Sequence, residues 1–531
     1  MTAFAVPLFA VVVRGINSPS GMEKIITSPY YRGIWTFTFK QALLSAVFSV
    51  LFGLPGAYLV GRCRFPGRRI LQSVSTVPFV LPPILAVLGF ILVFGNSGYI
   101  NMLRDMVSGG NAEPWRILYS LKAIIMAHVF YNYPLTMRIV GEAWSRLPLN
   151  SFRAARSLGA GRVRAFFAVD LPRLIPAILT SLIITFLFCF LSFAVVLVLG
   201  GGPDMSTLEV EVYRLVKHSL DFNGASVLAL FGSFVTLGCL ALYAVLDRRL
   251  RINSADVEIE TREVRHLRTG TAMAALSYLV PAMVLIAAPL TAVVVNSFLT
   301  RATRSGDVVF TLDHWIRLLG GSRVRSSIPL AALIRTLTLG LSVAFVTTIT
   351  ASLTAWYTSR HHGFLTRLTE GLLAIPMGVS SVILGLGYLI ITSVLPRGNA
   401  PRLAALVAVH TIMALPFSYR LVSGRMREIS VRVVHASRAS GAGQWDTLKK
   451  VILPLSRRAL TTSAIFSLAL SAGELNSTII LAPGNFTTLP LAIYRMIGAY
   501  DISGACALGT VLIIFSAAGF IALDRIGEDF S

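Results

Sequence analysis

SLGAGRVRAFFAVDLP occupies residues 157–172, and ASGAGQWDTLKKVILP occupies residues 439–454. In each, a Gly-Ala-Gly core (159–161 or 441–443) precedes a Leu-Pro step (171–172 or 453–454). The two copies are a constant 282 residues apart, and the match runs without a gap from His128 on His410, through Pro134 on Pro416 and Arg138 on Arg420, to the Leu-Pro steps. Upstream the offset becomes 298, which lays VPFVLPPILAVLGF (77–90) over IPMGVSSVILGLGY (375–388). Downstream it is 280, with LDFNGA (220–225) over YDISGA (500–505). Repetition on this scale makes the chain two homologous halves, expected at 1–246 and 272–531 with a charged linker at 247–271.

The surroundings of the two copies are strongly apolar. Of 531 residues 55% are hydrophobic and 13% charged, against about 25% charged in soluble domains; the mean hydropathy is +0.73. Apolar runs of membrane-spanning length recur at 37–62, 70–95, 121–140, 173–199, 226–246, 272–297, 330–357, 370–394, 402–421, 457–481 and 504–524. Lipid offers backbone amides no partners, so such runs are helices, and the fold class is all-α, a polytopic transmembrane helical bundle. AVPLFAVVV (5–13) matches AAPLTAVVV (287–295), the last third of the run that begins near 272. The first half is therefore expected to open with a helix of which only the end is present, and the native start is expected upstream of Met1. With that helix each half has six, an even number, so the halves are parallel and related by an axis along the membrane normal.

A net charge of +23 raises the question of nucleic acid, but spans closely flank the basic passages and leave little room for a duplex. The distribution of charge is more telling. With the N-terminus placed in the cytoplasm, cytoplasmic loops hold 29 of the 47 Lys and Arg residues, as the positive-inside rule requires. The four cysteines show no metal-ligand spacing, and no catalytic triad or paired catalytic acids stand out. None of the six lysines follows a glycine, so the phosphate-binding pattern ending in Gly-Lys-Ser/Thr is absent, and the chain is read as a non-enzyme with no cofactor of its own.

SFRAARSLGAG reads as a short helix closed by a glycine turn, and RVRAFFAVDLP as a helical lead into the next span with Pro172 near its start. Small residues allow another surface to come close, and flanking arginines pair with carboxylates. An Ala-Ala pair, three residues, Gly, and then Leu-Pro resembles the cytoplasmic signature of the membrane subunits of binding-protein-dependent ABC importers. It is carried by Ala154, Ala155, Gly159, Ala160, Gly161, Leu171 and Pro172 in the first copy. In the second it is carried by Ala436, Ser437, Gly441, Ala442, Gly443, Leu453 and Pro454. The family's leading acid is replaced by Arg153 and His435, and its second alanine by Ser437. The resemblance implies a type I ABC importer permease fold, with both passages acting as coupling helices. It also implies two copies of a cytoplasmic ATPase that bind ATP and Mg, and an inner-membrane location.

Three stretches narrow the resemblance: SFAVVLVLGGGPDMSTLEVEVYR (192–214), AHVFYNYPLTMR (127–138) and FTTLPLAIYRMIGAY (486–500). They look like the fused permeases of bacterial thiamine importers, and next those of ferric-iron importers. Either implies a periplasmic or lipid-anchored binding protein, expected to land on loops 200–225 and 482–503 with Asp204, Glu209 and Glu211 at the rim. Glu474 stands where the first half has Ser192. A carboxylate at membrane depth by default marks a lined cavity or pathway, so Glu474 either attracts a cationic solute, or is a hydrated gate residue, or makes an interhelical hydrogen bond to Asn476 or Ser477. Asn132 is a weaker pathway candidate. An ion-coupled secondary transporter is the rival class, but beyond Glu474 the spans offer it almost no acids.

Overall fold

The computed structural model describes residues 2–65, 81–109, 113–255, 265–266, 269–301, 308–318, 328–361, 363–396 and 398–528, together with 68, 71, 72, 75 and 78. Much of the expected linker, 256–264 and 267–268, lies outside the described residues, as does much of 66–80. The principal helices of the first half are α1 (Thr2–Ile16), α2 (Pro29–Arg62), α3 (Pro83–Phe94), α4 (Leu121–Ser145), α5 (Leu171–Phe190) and α6 (Phe222–Ala255). Those of the second half are α7 (Thr269–Asn296), α8 (Ile328–Arg360), α9 (Ser381–Ser393), α10 (Asn399–Glu428), α11 (Arg457–Gly473) and α12 (Ile502–Glu528). The repeat is visible in the packing: α2 lies on α4 and α5 as α8 lies on α10 and α11.

Eight helices among the described residues are long and apolar enough to cross a membrane. Two helix pairs add candidate broken spans: α1 with Pro19–Thr27, bent by 78°, and Phe364–Gly378 with α9, bent by 98°. The expected uninterrupted runs at 173–199, 370–394 and 457–481 are thus each broken, at 191–193, 379–380 and 474–475. Composition does not reveal such breaks, because a half-helix is as apolar as a whole one. Helices α4 and α11 are not among the eight. Their polar groups face neighbouring helices instead of lipid: Ser467 in α11 bonds Ser418 at 2.9 Å, and His128 in α4 bonds Ser45 at 2.9 Å.

At the centre lie α3 and α9. Ile84, Leu85, Ala86, Val87, Leu88 and Phe90 are fully buried, as are Val382, Leu384 and Leu386. A helix apolar on every side and enclosed on every side belongs in the core. Helix α7, by contrast, leaves Met273, Leu276, Val280 and Val284 exposed, as expected of a lipid-facing helix.

The halves are joined by an exchange of their first helices. Helix α1 packs on α9 and α10 of the second half as well as on α6, and α7 packs on α3 and α2 of the first half as well as on α12. Both crossings depend on a glycine. A Cβ on Gly89 would lie 2.5 Å from the Pro289 carbonyl oxygen, and one on Gly387 would collide with the same atom of Pro7. These are equivalent positions in the repeat, and in membranes small residues let helix backbones approach closely where no hydrophobic effect drives them together.

Gly89→Val and Gly387→Val should therefore each lower the thermal stability of the detergent-solubilised protein, by about 1–3 kcal/mol for an overpacked contact. Gly33→Val, at an exposed position with nothing within 4 Å of the added atom, should leave the unfolding temperature close to wild type.

Candidate functional site

The repeated basic loops form the same device twice. The short helix Leu149–Ser157 ends with Ala160 N–H donating to Ala155 C=O at 3.1 Å and Gly159 N–H to Arg156 C=O at 3.1 Å. Val431–Ala439 ends with Ala442 N–H on Ser437 C=O at 3.2 Å and Gly441 N–H on Arg438 C=O at 2.9 Å. This pair of bonds is the Schellman closure, which needs a left-handed residue just past the helix; φ is +86° at Gly159 and +85° at Gly441. Gly161 and Gly443 head the next helical stretch, their carbonyls accepting from Ala165 N–H and Thr447 N–H at 2.9 Å. A five-residue π turn follows in each copy, Phe166–Asp170 and Leu448–Ile452, before Leu171-Pro172 and Leu453-Pro454 open the next helices.

Ala154, Gly159, Gly161, Ala436, Gly441 and Gly443 are exposed, while Ala155, Ala160, Ser437 and Ala442 are half-buried. Beside them Leu158 is 88% exposed, Val163 70% and Trp445 59%. Exposed apolar side chains on an arginine-bearing loop, beside a Gly-Ala-Gly turn, suit a surface that another protein covers.

The two loops are tied down differently. Asp170 at the end of the first π turn pairs with Arg62 at the end of α2 at 3.1 Å, both side chains nearly buried. By the repeat, Arg62 falls on Arg360 and Asp170 on Ile452. The second loop is fastened instead at its approach, where Glu370 pairs with Arg427 and accepts from Tyr419 Oη at 3.2 Å, and Tyr419 in turn bonds Thr358 at 2.8 Å.

A second cluster follows the helix breaks. In the first half, Ser192 Oγ lies 2.8 Å from His128 Nε2, and Asn132 Nδ2 donates to His128 C=O at 2.8 Å within its own helix. In the second half, His410 contacts Ser471 Oγ at 2.8 Å and Thr478 Oγ1 at 3.3 Å. Glu474 Oε1 accepts from Ser477 N–H at 3.0 Å and from Ser477 Oγ at 3.3 Å, so the carboxylate caps the short helix Asn476–Leu481. Asn476 Nδ2 donates to Ser381 Oγ at 3.3 Å. Gly473, beside Glu474, packs on the Pro82 ring of the other half. Glu474 and Asn476 thus meet at the joint between the halves, whereas Ser192 and Asn132 gather around His128 inside the first half.

The expected rim is corrected in part. Asp204 is exposed, but Glu209 and Glu211 are 3% and 4% exposed. The short helix Leu208–Arg214 folds back against α2, α6 and α9, with Leu208 N–H on Thr38 Oγ1 at 3.1 Å; its counterpart Leu489–Gly498 repeats this with Leu489 N–H on Thr336 Oγ1 at 2.8 Å. Glu211 accepts from Tyr30 Oη at 3.0 Å and pairs with Arg214 at 3.4 Å. Glu209 Oε2 accepts from Ser380 Oγ of the second half at 2.6 Å, a contact that sequence reading missed. Its only signal is a pair of acids inside the otherwise apolar LEVEVY.

The chain matches the model of the family described as "binding-protein-dependent transport system inner membrane component" twice, over residues 49–252 and 347–528. The thiamine transport system permease protein ThiP of Salmonella typhimurium is 28% identical to it over 98% of this chain and 94% of that protein. The ThiP of Brucella melitensis is 27% identical over 92% and 86%. A probable sulfate transport system permease protein, cysT, of Helicosporidium is 27% identical over 47% of this chain and 90% of its own length.

The turns generate a test. A Cβ at Gly159 or Gly441 meets nothing within 4 Å, so valine there strains only the backbone, by about 1–2 kcal/mol per left-handed residue. The Gly159→Val/Gly441→Val double variant should keep the thermal stability of the membrane bundle yet lose most co-purification of the cytoplasmic ATPase. An unchanged pull-down would refute the docking role.

Proposed function

We propose that this chain, which belongs to the family of binding-protein-dependent transport system inner membrane components, carries thiamine through the importer of which it is the transmembrane subunit. It is a multi-pass ABC importer permease of the inner membrane, and this sets aside the ion-coupled rival. The observation that supports the cargo is the likeness to thiamine permeases over nearly the whole chain, both halves included. A ferric cargo is not favoured. Among the described residues no three His, Cys, Asp or Glu side chains group as a metal site would, and a thiazolium cation needs none.

The proposal extends to the partners. Two docking loops in one chain imply two ATPase subunits, each binding ATP and Mg, and a chain without a phosphate-binding glycine-lysine pattern leaves hydrolysis to them. Both loops are assigned to the cytoplasm, along with the N-terminus, by the arginine and lysine count. The binding protein is assigned to the opposite side, where Asp204 and the exposed stretches 201–204 and 498–501 remain available. Closure of the ATPase pair draws the loops together, and the halves rock about the α1 and α7 crossings, opening the joint to the binding protein.

Within that pathway Glu474 offers a charge to the passing cation while its Oε1 caps Asn476–Leu481. Glutamine keeps an oxygen for the cap and removes the charge. Glu474→Gln should therefore reduce ATP-dependent uptake of labelled thiamine into proteoliposomes about tenfold, the loss of roughly 1.4 kcal/mol of attraction, with assembly intact. Wild-type uptake in that variant would dispose of the pathway role.

A further inference from the structure

Glu209 is an enclosed acidic side chain. Its carboxylate is 3% exposed, and its Oε2 accepts from Ser380 Oγ. Ser380 stands at the 98° break between Phe364–Gly378 and α9, so the carboxyl is enclosed between the two halves among apolar helices. Among the described residues no Lys or Arg pairs with it, whereas its neighbour Glu211 has both Tyr30 and Arg214. Burial without a compensating cation disfavours the ionised form of such a group, so an enclosed acid that no cation pairs is a candidate pathway residue whose charge is expressed when a cation arrives.

The repeat shows that the equivalent place in the other half is filled without an acid. Aligning Tyr213-Arg214 with Tyr494-Arg495 places Pro490 where the first half has Glu209, and the 298 offset places Pro82 where the second half has Ser380. The same short helix docks against the opposite half's central helix in both places, Leu208–Arg214 on α9 and Leu489–Gly498 on α3. The positions that hold a carboxyl and a hydroxyl at one joint hold two prolines in the other copy. The acid also connects to the rest of the polar joint. Ser381, next to Ser380, accepts from Asn476, and Asn476 follows Glu474 by two residues.

We propose that Glu209 is the charge-selecting residue of the translocation pathway: when the halves part, its carboxylate leaves Ser380 and takes the cationic ring of the solute as counter-ion, then returns to Ser380 once the solute has passed. This rests on the reading of a cationic cargo given above. Ser380 is the resting partner, a hydroxyl bonded to the enclosed carboxyl; opening to water and the arrival of a cation favour the ionised form, the released proton passing to solvent. Neutral or anionic solutes of the same size would leave the carboxylate uncompensated and are disfavoured.

Glu209→Gln separates charge from fit, since the amide oxygen still accepts from Ser380. The permease would be purified with its ATPase, reconstituted with the binding protein, and assayed for labelled thiamine uptake and for binding-protein-stimulated ATP hydrolysis. Expected is a fall in uptake of about tenfold or more, the scale on which a buried charge pair is lost. Stimulated hydrolysis should stay near wild type, and Glu209→Asp should recover part of the uptake. Wild-type uptake by E209Q overturns the inference, as does an E209Q complex that fails to assemble, which would assign the charge to the fold. An E209D variant no better than E209Q overturns it too. A wild-type complex that takes up no thiamine instead overturns the cargo reading on which the inference rests, and that outcome is distinct because it shows before any variant is made.

Discussion

Two backbone crossings hold this molecule together. Where α7 passes α3 and where α1 passes α9, a proline carbonyl lies in the space a side chain would occupy, and Gly89 and Gly387 leave that space free. In lipid there is no hydrophobic gain from pressing two apolar helices together, so close packing of small residues has to supply the cohesion. Each half therefore grips the other's central helix with its own first helix. The exchange is reciprocal, and neither half can be separated without uncovering α3 or α9, the most enclosed elements of the fold.

With the halves clasped in this way, two of the helix breaks, at 379–380 and 474–475, fall at the joint. A broken helix exposes backbone groups that membrane interior cannot satisfy unless protein or a hydrated cavity does. Here the polar side chains answer that need: Ser380 Oγ accepts from Val382 N–H at 3.0 Å, and Glu474 takes Ser477 N–H. The same residues that repair the backbone place hydroxyls, an amide and carboxylates along the seam between the halves. One set of groups carries both the packing and the polarity of this seam, which is why variants that keep shape and remove charge are the informative ones.

The halves, their parallel sense and the paired Gly-Ala-Gly turns were legible in the sequence, because a repeat of apolar runs and a left-handed glycine leave local signatures. The turn geometry at Gly159 and Gly441 agrees with the reading of a short helix closed by glycine. Glu209 was not legible. From LEVEVY alone an acid in a loop reads as solvated, and only the folding back of Leu208–Arg214 under α9 encloses it. The helix breaks were equally hidden, since hydropathy records how greasy a stretch is and not whether it bends. Glycines 89 and 387 align in the repeat, yet nothing local says that a proline from the far half rests on each. Which faces meet is a property of the whole fold.

The loops that the repeat makes so alike are mounted unlike. One is pinned at its exit by Arg62 and Asp170, the other at its entry by Glu370, Arg427 and Tyr419. Equal forces on the two loops would therefore meet different lever arms. The first loop passes its displacement to α2 through a short, nearly dry link, while the second passes it to the approach of α9 through a wetter one. A repeat that is alike in its loops is thereby anchored unlike, and equal pushes on the two need not produce equal movements.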